Sequence, residues 1–297
     1  MRKPYPTDLS DAQWAYLEGH LPTPEHNGRP RLHSLREILD AVFYVVRSGC
    51  AWRLLPHDFP PLKTVYHYFR FWRLDGTWER STLPCASVCG SASGPPQEEP
   101  SAQRRHCRQS VGQNDWVGGE ERGYDGGKKV KGRKRHLMVD TQGLVLKARL
   151  HSAEIQERDG IKLLLEIATW DRLPQRLSHL WMDAGYTGED KGADWVHKVL
   201  GGTAEIVPHP PKIAPEEVMM TWVREWAKEG IAIEREKLLS AKGPRALLPK
   251  RWVVERPFSW LGQNRRLSKD YGRLPASGEA FIYVAMSRLM VRRLARS

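Results

Sequence analysis

The segment from Arg251 to Gly272, RWVVERPFSWLGQNRRLSKDYG, places one carboxylate, Glu255, among apolar residues with arginines close behind it. Counted as a helix, Val254, Phe258 and Leu261 fall on one face, and Glu255 falls on the next, at the edge of a stripe that would be buried. A glutamate at such an edge is most often a solvated or ion-paired surface group. It can act as a cation ligand only if further carboxylates converge on it.

A second carboxylate, Asp183, ends the run LSHLWMD and is followed by the chain breaker AGYTG. The run is typical of a strand. Open α/β sheets bind their ligands at the C-terminal ends of strands, which makes Asp183 a candidate site residue. The competing interpretation is an aspartate that only starts a turn.

The charge of the chain indicates the class of its partner. Among 297 residues, 47 are lysine or arginine and 35 are aspartate or glutamate, so the formal net charge is +12. This excess favours a polyanion, although charge alone specifies no nucleic-acid sequence. The longest apolar runs, such as AVFYVV and FIYVAM, fall well short of the roughly 20 residues that cross a bilayer, and no hydrophobic signal core follows the N-terminus. We therefore expect a cytoplasmic, nucleoid-associated protein without a membrane partner and with reduced cysteines.

The N-terminal part of the chain has the pattern of a helical DNA-binding unit. Capping boxes at Ser10 (SDAQ) and Ser34 (SLRE) predict two helices, the second of which should end near Ser48 and Gly49. After WRLLPHDFPP, the segment LKTVYHYFRFWRLDG predicts a third helix with aromatic residues along one face. The arrangement is typical of a helix-turn-helix, although small helical bundles of this pattern also bind only protein. The predicted DNA contacts on the third helix are Lys63, Thr64, Tyr66, His67 and Arg70.

From Arg122 onward the pattern changes to alternating strands and helices. A Gly-rich basic loop precedes HLMVD and LVLKARL, which flank the turn TQG and predict a hairpin. A helix at about 159–169, the strand ending at Asp183, the helix DKGADWVHKVL and the strand TAEIVP follow. An insertion at about 208–250 precedes the Glu255 helix and a final helix, and the whole predicts a mixed sheet with flanking helices. The predicted DNA contacts in this half are Lys128, Lys129, Lys131, Arg133, Lys134, Arg265 and Arg266.

Several long strings resemble bacterial insertion-sequence transposases of the Asp-Asp-Glu type, in the insertion-sequence-five group. LSDAQW, GCAWRLLPHDFPP and TVYHYFRFW resemble the N-terminal helix-turn-helix region of that family. GYDGGKKVKGRKRHLMVDTQG, MDAGYTG and RWVVERPFSWLGQNRRLSKDYGR resemble its catalytic domain. The resemblance implies an α+β chain with an all-α helix-turn-helix domain at 1–80 and a ribonuclease H-like mixed sheet with flanking helices at 118–297.

The resemblance also implies the chemistry. Three carboxylates would hold two Mg²⁺ (or Mn²⁺) ions, which suit the cleavage and joining of DNA strands. On the matching positions, Asp183 is the second carboxylate, Glu255 the third, and Arg251 the arginine of the signature around the glutamate. The signature's tyrosine and lysine in related groups are not found, since Leu248 and Gly262 stand at the expected spacings. The implied partners are double-stranded DNA, as terminal inverted repeats and as target, and a second copy of the chain in a homodimer on DNA.

The first catalytic aspartate of the family is missing. It should lie before GYDGG in a string like DSQSVKTT, but residues 81–117 contain no such string. If HCRQSVGQNDW is written as codons and read from the second base, it gives Ile-Val-Asp-Ser-Gln-Ser-Val-Lys-Thr-Thr. We hypothesise compensating frameshifts between about Arg80 and Val117, with the aspartate codon straddling Arg108 and Gln109. We expect 81–117 to be a poorly ordered linker and strand transfer to be impaired.

Other interpretations of this region are open. Cys85 and Cys89 with His106 and Cys107 have the ligand types of a zinc site but irregular spacing. Asp115 or Asp125 could replace the missing carboxylate, whereas Asp140 belongs to the hairpin turn. The competing functional classes are a DNA-binding protein without catalysis, descended from a transposase, and a general nucleic-acid binder.

Overall fold

The computed structural model describes residues 2–22, 31–82, 103–113, 119–165, 177–200, 203–207, 216–228 and 249–295. Predictions that fall between these ranges, including those for Cys85, Cys89 and Asp115, lie outside the described residues. Within the ranges, the chain combines N-terminal helices with a later sheet and its helices, so the mixed α+β class is confirmed.

The described N-terminal ranges include the helices α1 (Asp11–Glu18), α2 (Leu35–Ser48) and α3 (Leu62–Leu74). Both predicted capping boxes are present, because the hydroxyls of Ser10 and Ser34 accept from the backbone three residues on, and Gln13 and Glu37 return the bond. Gly49 ends α2 in the left-handed conformation, at φ 73°. A 3-10 turn at Trp52–Leu54 connects α2 to α3, and residues 77–82 are again helical.

The sheet has six strands: β1 (Gln103–Gln113), β2 (Gly123–Asp125), β3 (Val130–Val139), β4 (Val145–Ser152), β5 (Leu177–Asp183) and β6 (Thr203–Val207). β1 lies inside it, antiparallel to β3 and parallel to β5. β4 pairs with the far edge of β3, and β6 runs parallel to β5. The main strands therefore follow the order β4-β3-β1-β5-β6, with the short β2 paired to the start of β3.

In the described ranges after β4, the helices are α4 (Glu157–Leu164), α5 (Gly192–Leu200), α6 (Glu216–Lys228), α7 (Pro249–Gly262), α8 (Arg265–Ser268) and α9 (Pro275–Leu294). α9 connects the two halves of the molecule, since it packs on β4 and also on α1, α2 and α3. Phe281 of α9 stacks on Phe69 of α3, with ring centroids 4.7 Å apart. One continuous hydrophobic core therefore includes the N-terminal helices and the sheet.

Three details differ from the sequence-based expectations. Residues 103–113 were expected to lack a strand, but they form β1, because partners on both edges satisfy its backbone hydrogen-bonding groups. Ser81 and Thr82, at the start of the same segment, are buried in a helix. The helix after the hairpin ends at Leu164 and not near residue 169.

Candidate active site

Asp183 is the last residue of β5, as predicted, and is half-buried. Its Oδ1 accepts a hydrogen bond from the backbone N–H of Ala184 at 2.8 Å and so caps the 3-10 turn Ala184–Tyr186. The ring of Tyr186 is fully buried below this turn. The turn that the competing interpretation required is therefore present, but it holds the carboxylate at a strand end, where ligands bind in open sheets.

The register of β1 against β5 shows which residue stands beside Asp183. Cys107 of β1 pairs with Met182 of β5, and the two strands are parallel. Arg108 and Asp183 are the next residues along the two strands. The eleven residues of β1, QRRHCRQSVGQ, include no aspartate or glutamate. The inner strand next to Asp183 therefore supplies no carboxylate.

Glu255 lies in α7, half-buried, and this helix packs against β1. The buried face of α7 includes Val253, Pro257 and Leu261. The predicted stripe is thus correct for Leu261, whereas Phe258 is only half-buried. The helix that carries Glu255 therefore packs on β1, and β1 pairs with β5, which ends at Asp183.

A proline is best tolerated in the first turn of a helix, but Pro257 lies in the interior of α7, which starts at Pro249. A proline there cannot donate to the carbonyl four residues back, which is that of Val253. This oxygen faces Gly143 in the β3–β4 turn: a Cβ on Gly143 would lie 2.8 Å from it. Gly143 has φ 82°, and its lack of a side chain lets the turn approach α7 closely. The hairpin turn thus positions the middle of α7.

Arg251 lies in the first part of α7, two turns of helix or less from Glu255, as its spacing requires. The structure describes its backbone within the helix. The guanidinium of the neighbouring Arg256 lies 5.6 Å from the ring centroid of Trp260 and donates to the carbonyl of Gln142 at 3.4 Å. This second contact also connects α7 with the hairpin turn.

The two alternative carboxylates of this region that the structure describes have local roles. Asp125 is buried and accepts from the backbone N–H groups of Gly127 and Lys128 and from Lys134 Nζ. Burial raises its pKa, but these hydrogen bonds outweigh burial, so that the pKa of Asp125 is lower than usual. Asp140 Oδ1 accepts from the backbone of Gln142 and Leu144, which confirms its place in the turn.

Within the part of the chain that the structure describes, the carboxylates do not make up the three-carboxylate set of a two-metal site. Asp183 and Glu255 offer two carboxylates, and β1 offers none. Within the described ranges, no three histidine, cysteine, aspartate or glutamate side chains come together as metal ligands. Relative to the three carboxylates expected for the two ions, the member from β1 is missing.

Glu157 is a residue near Asp183 that the sequence analysis missed. Its Oε1 accepts from Lys128 Nζ at 3.1 Å, and its other carboxylate oxygen abuts the backbone of Gly185, where a Cβ would overlap with it. It therefore connects the basic loop after β2 to the turn after Asp183. The only sequence signal for it is its place in the first turn of α4, where a carboxylate suits the helix N-terminus.

The predicted DNA contacts of α3 form one accessible face. Lys63, Tyr66, His67 and Arg70 are exposed, and Thr64 is half-buried. Phe71 and Leu74, at 49% and 64% exposed, extend the same surface with apolar area. The buried face of α3 consists of Val65, Phe69 and Trp72. The exposed face is free to meet another molecule.

The predicted basic contacts of the second half separate into exposed and buried groups. Lys128, Lys129, Lys131 and Arg265 are exposed, and Arg266 is half-buried, with its guanidinium 5.2 Å from the ring centroid of Phe281. Burial lowers the pKa of Arg266. These residues are available to an anion at the surface.

Arg133 and Lys134 are corrections to the predicted DNA contacts. Arg133 is 1% exposed and pairs with both carboxylate oxygens of Asp270, at 2.6 and 2.7 Å. Lys134 is 5% exposed, and its Nζ lies 3.2 Å from Asp125 Oδ2 and donates to the carbonyl of Ile155. Both cations have internal partners, so a DNA phosphate cannot reach them in this fold.

Two family models match the chain. Residues 9–82 match a family described as transposases of the IS4/5 family, and residues 100–290 match the transposase DDE domain. The second match spans more than half of the chain and includes β1, Asp183 and Glu255. No curated protein matches the chain. Within the described ranges, no helix has the length and apolar character needed to cross a membrane.

Proposed function

Since the chain belongs to the DDE transposases of the IS4/5 type, we propose that it binds the terminal inverted repeats of an insertion sequence and is impaired in metal-dependent strand cleavage and transfer. It acts on double-stranded DNA, as a homodimer that brings two element ends together. The impairment rests on the sequence of β1, the strand paired with β5: none of its eleven residues is an aspartate or a glutamate.

The proposed DNA-binding element is the helix-turn-helix formed by α2, the 3-10 turn and α3. The exposed face of α3 carries Lys63, His67 and Arg70 together with the aromatic Tyr66, as a helix that enters a major groove requires. A net charge of +12 favours the approach to a polyanion. Lys128, Lys129, Lys131 and Arg265 would contact the backbone of target or terminal DNA.

The proposed catalytic core is ribonuclease H-like. The order β4-β3-β1-β5-β6, with β5 and β6 parallel to β1, supports this proposal. Asp183 and Glu255 are the second and third members of its carboxylate set, and Arg251 is the arginine of its signature. Divalent metal is the cofactor of the family, but in this chain β1 supplies no carboxylate to the set of metal ligands.

A binding and nicking assay tests the proposal. The probe is a labelled duplex from the DNA that flanks the gene of this chain, with a random duplex of equal length as the control. We expect tighter binding to the flanking duplex and, with Mg²⁺ or Mn²⁺, no nicking above that of an Asp183→Asn variant. Nicking that disappears in Asp183→Asn would contradict the impairment. Equal affinity for both duplexes would contradict terminal-repeat recognition and favour a general nucleic-acid binder.

The proposed frameshift has a separate test. If it is correct, the DNA between the codons of Arg80 and Val117 encodes the string DSQSVKTT in another frame. A chain rebuilt with that string should regain nicking with Mg²⁺, whereas the same chain with asparagine in place of the new aspartate should not. Gene sequence that cannot encode the string in any frame would exclude this origin for the missing carboxylate.

A further inference from the structure

Four arginines line one cavity of about 250 Å³ between the N-terminal and C-terminal parts of the fold. Arg47 comes from the last turn of α2, and Arg288, Arg292 and Arg293 come from the second half of α9. The wall between them includes Trp260 of α7 and Gln263. Among the described residues that line the cavity, there is no aspartate or glutamate.

The two carboxylates whose charges act on Arg288 also have other hydrogen-bond donors. The charges that act on Arg288 are those of Arg292 and Arg47, and, with opposite sign, Asp40 and Asp8. Asp8 accepts from Arg2 at 2.7 Å, and Asp40 accepts from the backbone N–H of Leu9 at 2.8 Å. Burial, followed by Arg292 and Arg47, lowers the pKa of Arg288 to about 10, which still leaves it cationic at neutral pH. The cluster therefore keeps an excess of positive charge.

Contacts with the surrounding protein position Arg293, Arg47 and Arg288. Arg293 lies 4.4 Å from the ring centroid of Trp260, Arg47 donates to the carbonyl of Gln263 at 2.5 Å, and Arg288 donates to the carbonyl of Pro6 at 3.0 Å. Each of these contacts uses one face or one donor of a guanidinium that has five N–H groups. Further donors remain for a ligand, and arginine donors match the oxygens of a phosphate in pairs.

We propose that this arginine pocket binds one phosphate group of a duplex DNA backbone, which rests on the proposed DNA-binding function. Like-charged side chains in one concave site cost free energy unless an anion neutralises them. A phosphodiester supplies oxygen acceptors and the required charge, whereas a neutral ligand would leave the repulsion in place. Because α2 and α9 both contribute arginines, the bound phosphate would contact the helix-turn-helix and the C-terminal helix at once.

The test measures the salt dependence of duplex binding by fluorescence anisotropy with the flanking-DNA duplex. The variants are Arg292→Gln, at an exposed position, and Arg288→Gln, and the control is Lys198→Gln, which removes one positive charge on α5 next to Asp190 and Asp194. A lost phosphate contact is expected to make the negative slope of log K against log salt less steep by about 0.9. The affinity should fall roughly eightfold at 0.1 M salt. Circular dichroism melts establish that each variant is folded.

The outcomes separate this inference from the proposed function. Wild-type protein that fails to bind any duplex would overturn the proposed function and the pocket assignment together. Normal wild-type binding, with slopes for Arg292→Gln and Arg288→Gln equal to that of Lys198→Gln, would overturn the pocket assignment alone. Calorimetric titration with inorganic phosphate at constant ionic strength identifies the source: phosphate binding lost in both variants with unchanged duplex binding would mean free phosphate and overturn the assignment to DNA.

Discussion

Whether a basic side chain is buried or exposed depends more on its contact partners than on its position in the sequence. Arg133 and Lys131 stand two apart in the same basic string, yet Lys131 is exposed and Arg133 is buried against Asp270. Arg135, on the same strand, donates to the carbonyl of Leu267. Arg133 and Arg135 therefore connect β3 to the segment after α7, whereas Lys131 offers its charge to solvent.

The buried pair of Arg133 and Asp270 should be important for stability. We expect Asp270→Asn to lower the free energy of unfolding by about 3–5 kcal/mol, because it leaves a buried guanidinium without its counter-charge. Chemical denaturation of the purified variant measures this loss. The matched control is Arg36→Gln, which removes the Arg36–Asp11 ion pair, where Asp11 is 95% exposed, and should be much milder. Equal losses in the two variants would show that burial of the Arg133–Asp270 pair does not matter.

Two buried histidines should make the fold sensitive to acid. His151 Nδ1 lies 2.8 Å from the carbonyl of Ser152 and therefore carries the proton, so its Nε2 accepts from His136 Nδ1 at 2.6 Å. Burial, followed by the charges of His151 and Lys134, holds the pKa of His136 well below its ordinary value. Burial also lowers the pKa of His151. Both rings are neutral in the folded protein.

The sign of the pH dependence follows from these lowered pKa values. Below about pH 6.5 the unfolded chain takes up protons that the folded protein does not. The free energy of unfolding should therefore decrease as the pH is lowered, by up to about 1.4 kcal/mol per pH unit for each histidine. We expect His136→Asn, which keeps a donor to His151 but cannot titrate, to have a shallower dependence. Urea denaturation at a series of pH values measures both slopes. Parallel curves for the two proteins would contradict this role for His136.

At the scale of elements, local signals predicted most of the structure. Ser10 and Ser34 carry capping boxes whose hydrogen bonds need only four residues, and Gly49 ends α2 because it adopts a positive φ. The site residue Asp183 was found in the same way, from a strand that ends in a chain breaker. β1 could not be predicted from local signals, because QRRHCRQSVGQ has no alternation of apolar residues. Its hydrogen-bonding partners, β3 and β5, are distant in the sequence. The burial of Arg133 depends equally on a partner 137 residues away.

The contact between the hairpin turn and α7 should depend on Gly143. We expect Gly143→Ala to destabilise the protein by about 1–3 kcal/mol, because the methyl group would press on the Val253 carbonyl and the backbone has a positive φ. Gly126→Ala is the control, since a Cβ there meets no atom within 4 Å. Thermal unfolding compares the two variants. Since α7 carries Glu255, amide exchange in α7 should also become faster in Gly143→Ala, and unchanged exchange would show that the turn does not hold the helix.

At the scale of the whole molecule, α9 makes the N-terminal helices and the sheet parts of one folded body. The predicted boundary near residue 80 follows the change in sequence pattern, whereas the packing follows the hydrophobic core, which crosses it. Phe69 of α3, Trp52 and Phe281 of α9 form one aromatic cluster at this crossing. The orientation of the proposed helix-turn-helix is therefore fixed by a helix from the end of the chain.

Truncation of Phe281 should loosen both halves at once. We expect Phe281→Ala to cost about 3–5 kcal/mol, because a buried aromatic side chain leaves a cavity between α3 and α9. Hydrogen exchange followed by mass spectrometry should show faster exchange in α2 and α3 together with β4. The control is Leu74→Ala at an exposed position of α3, which should change neither. If β4 alone lost protection while α2 and α3 kept theirs, the N-terminal helices would be an independent folding unit, and the arginine pocket between α2 and α9 would lose its rigid frame.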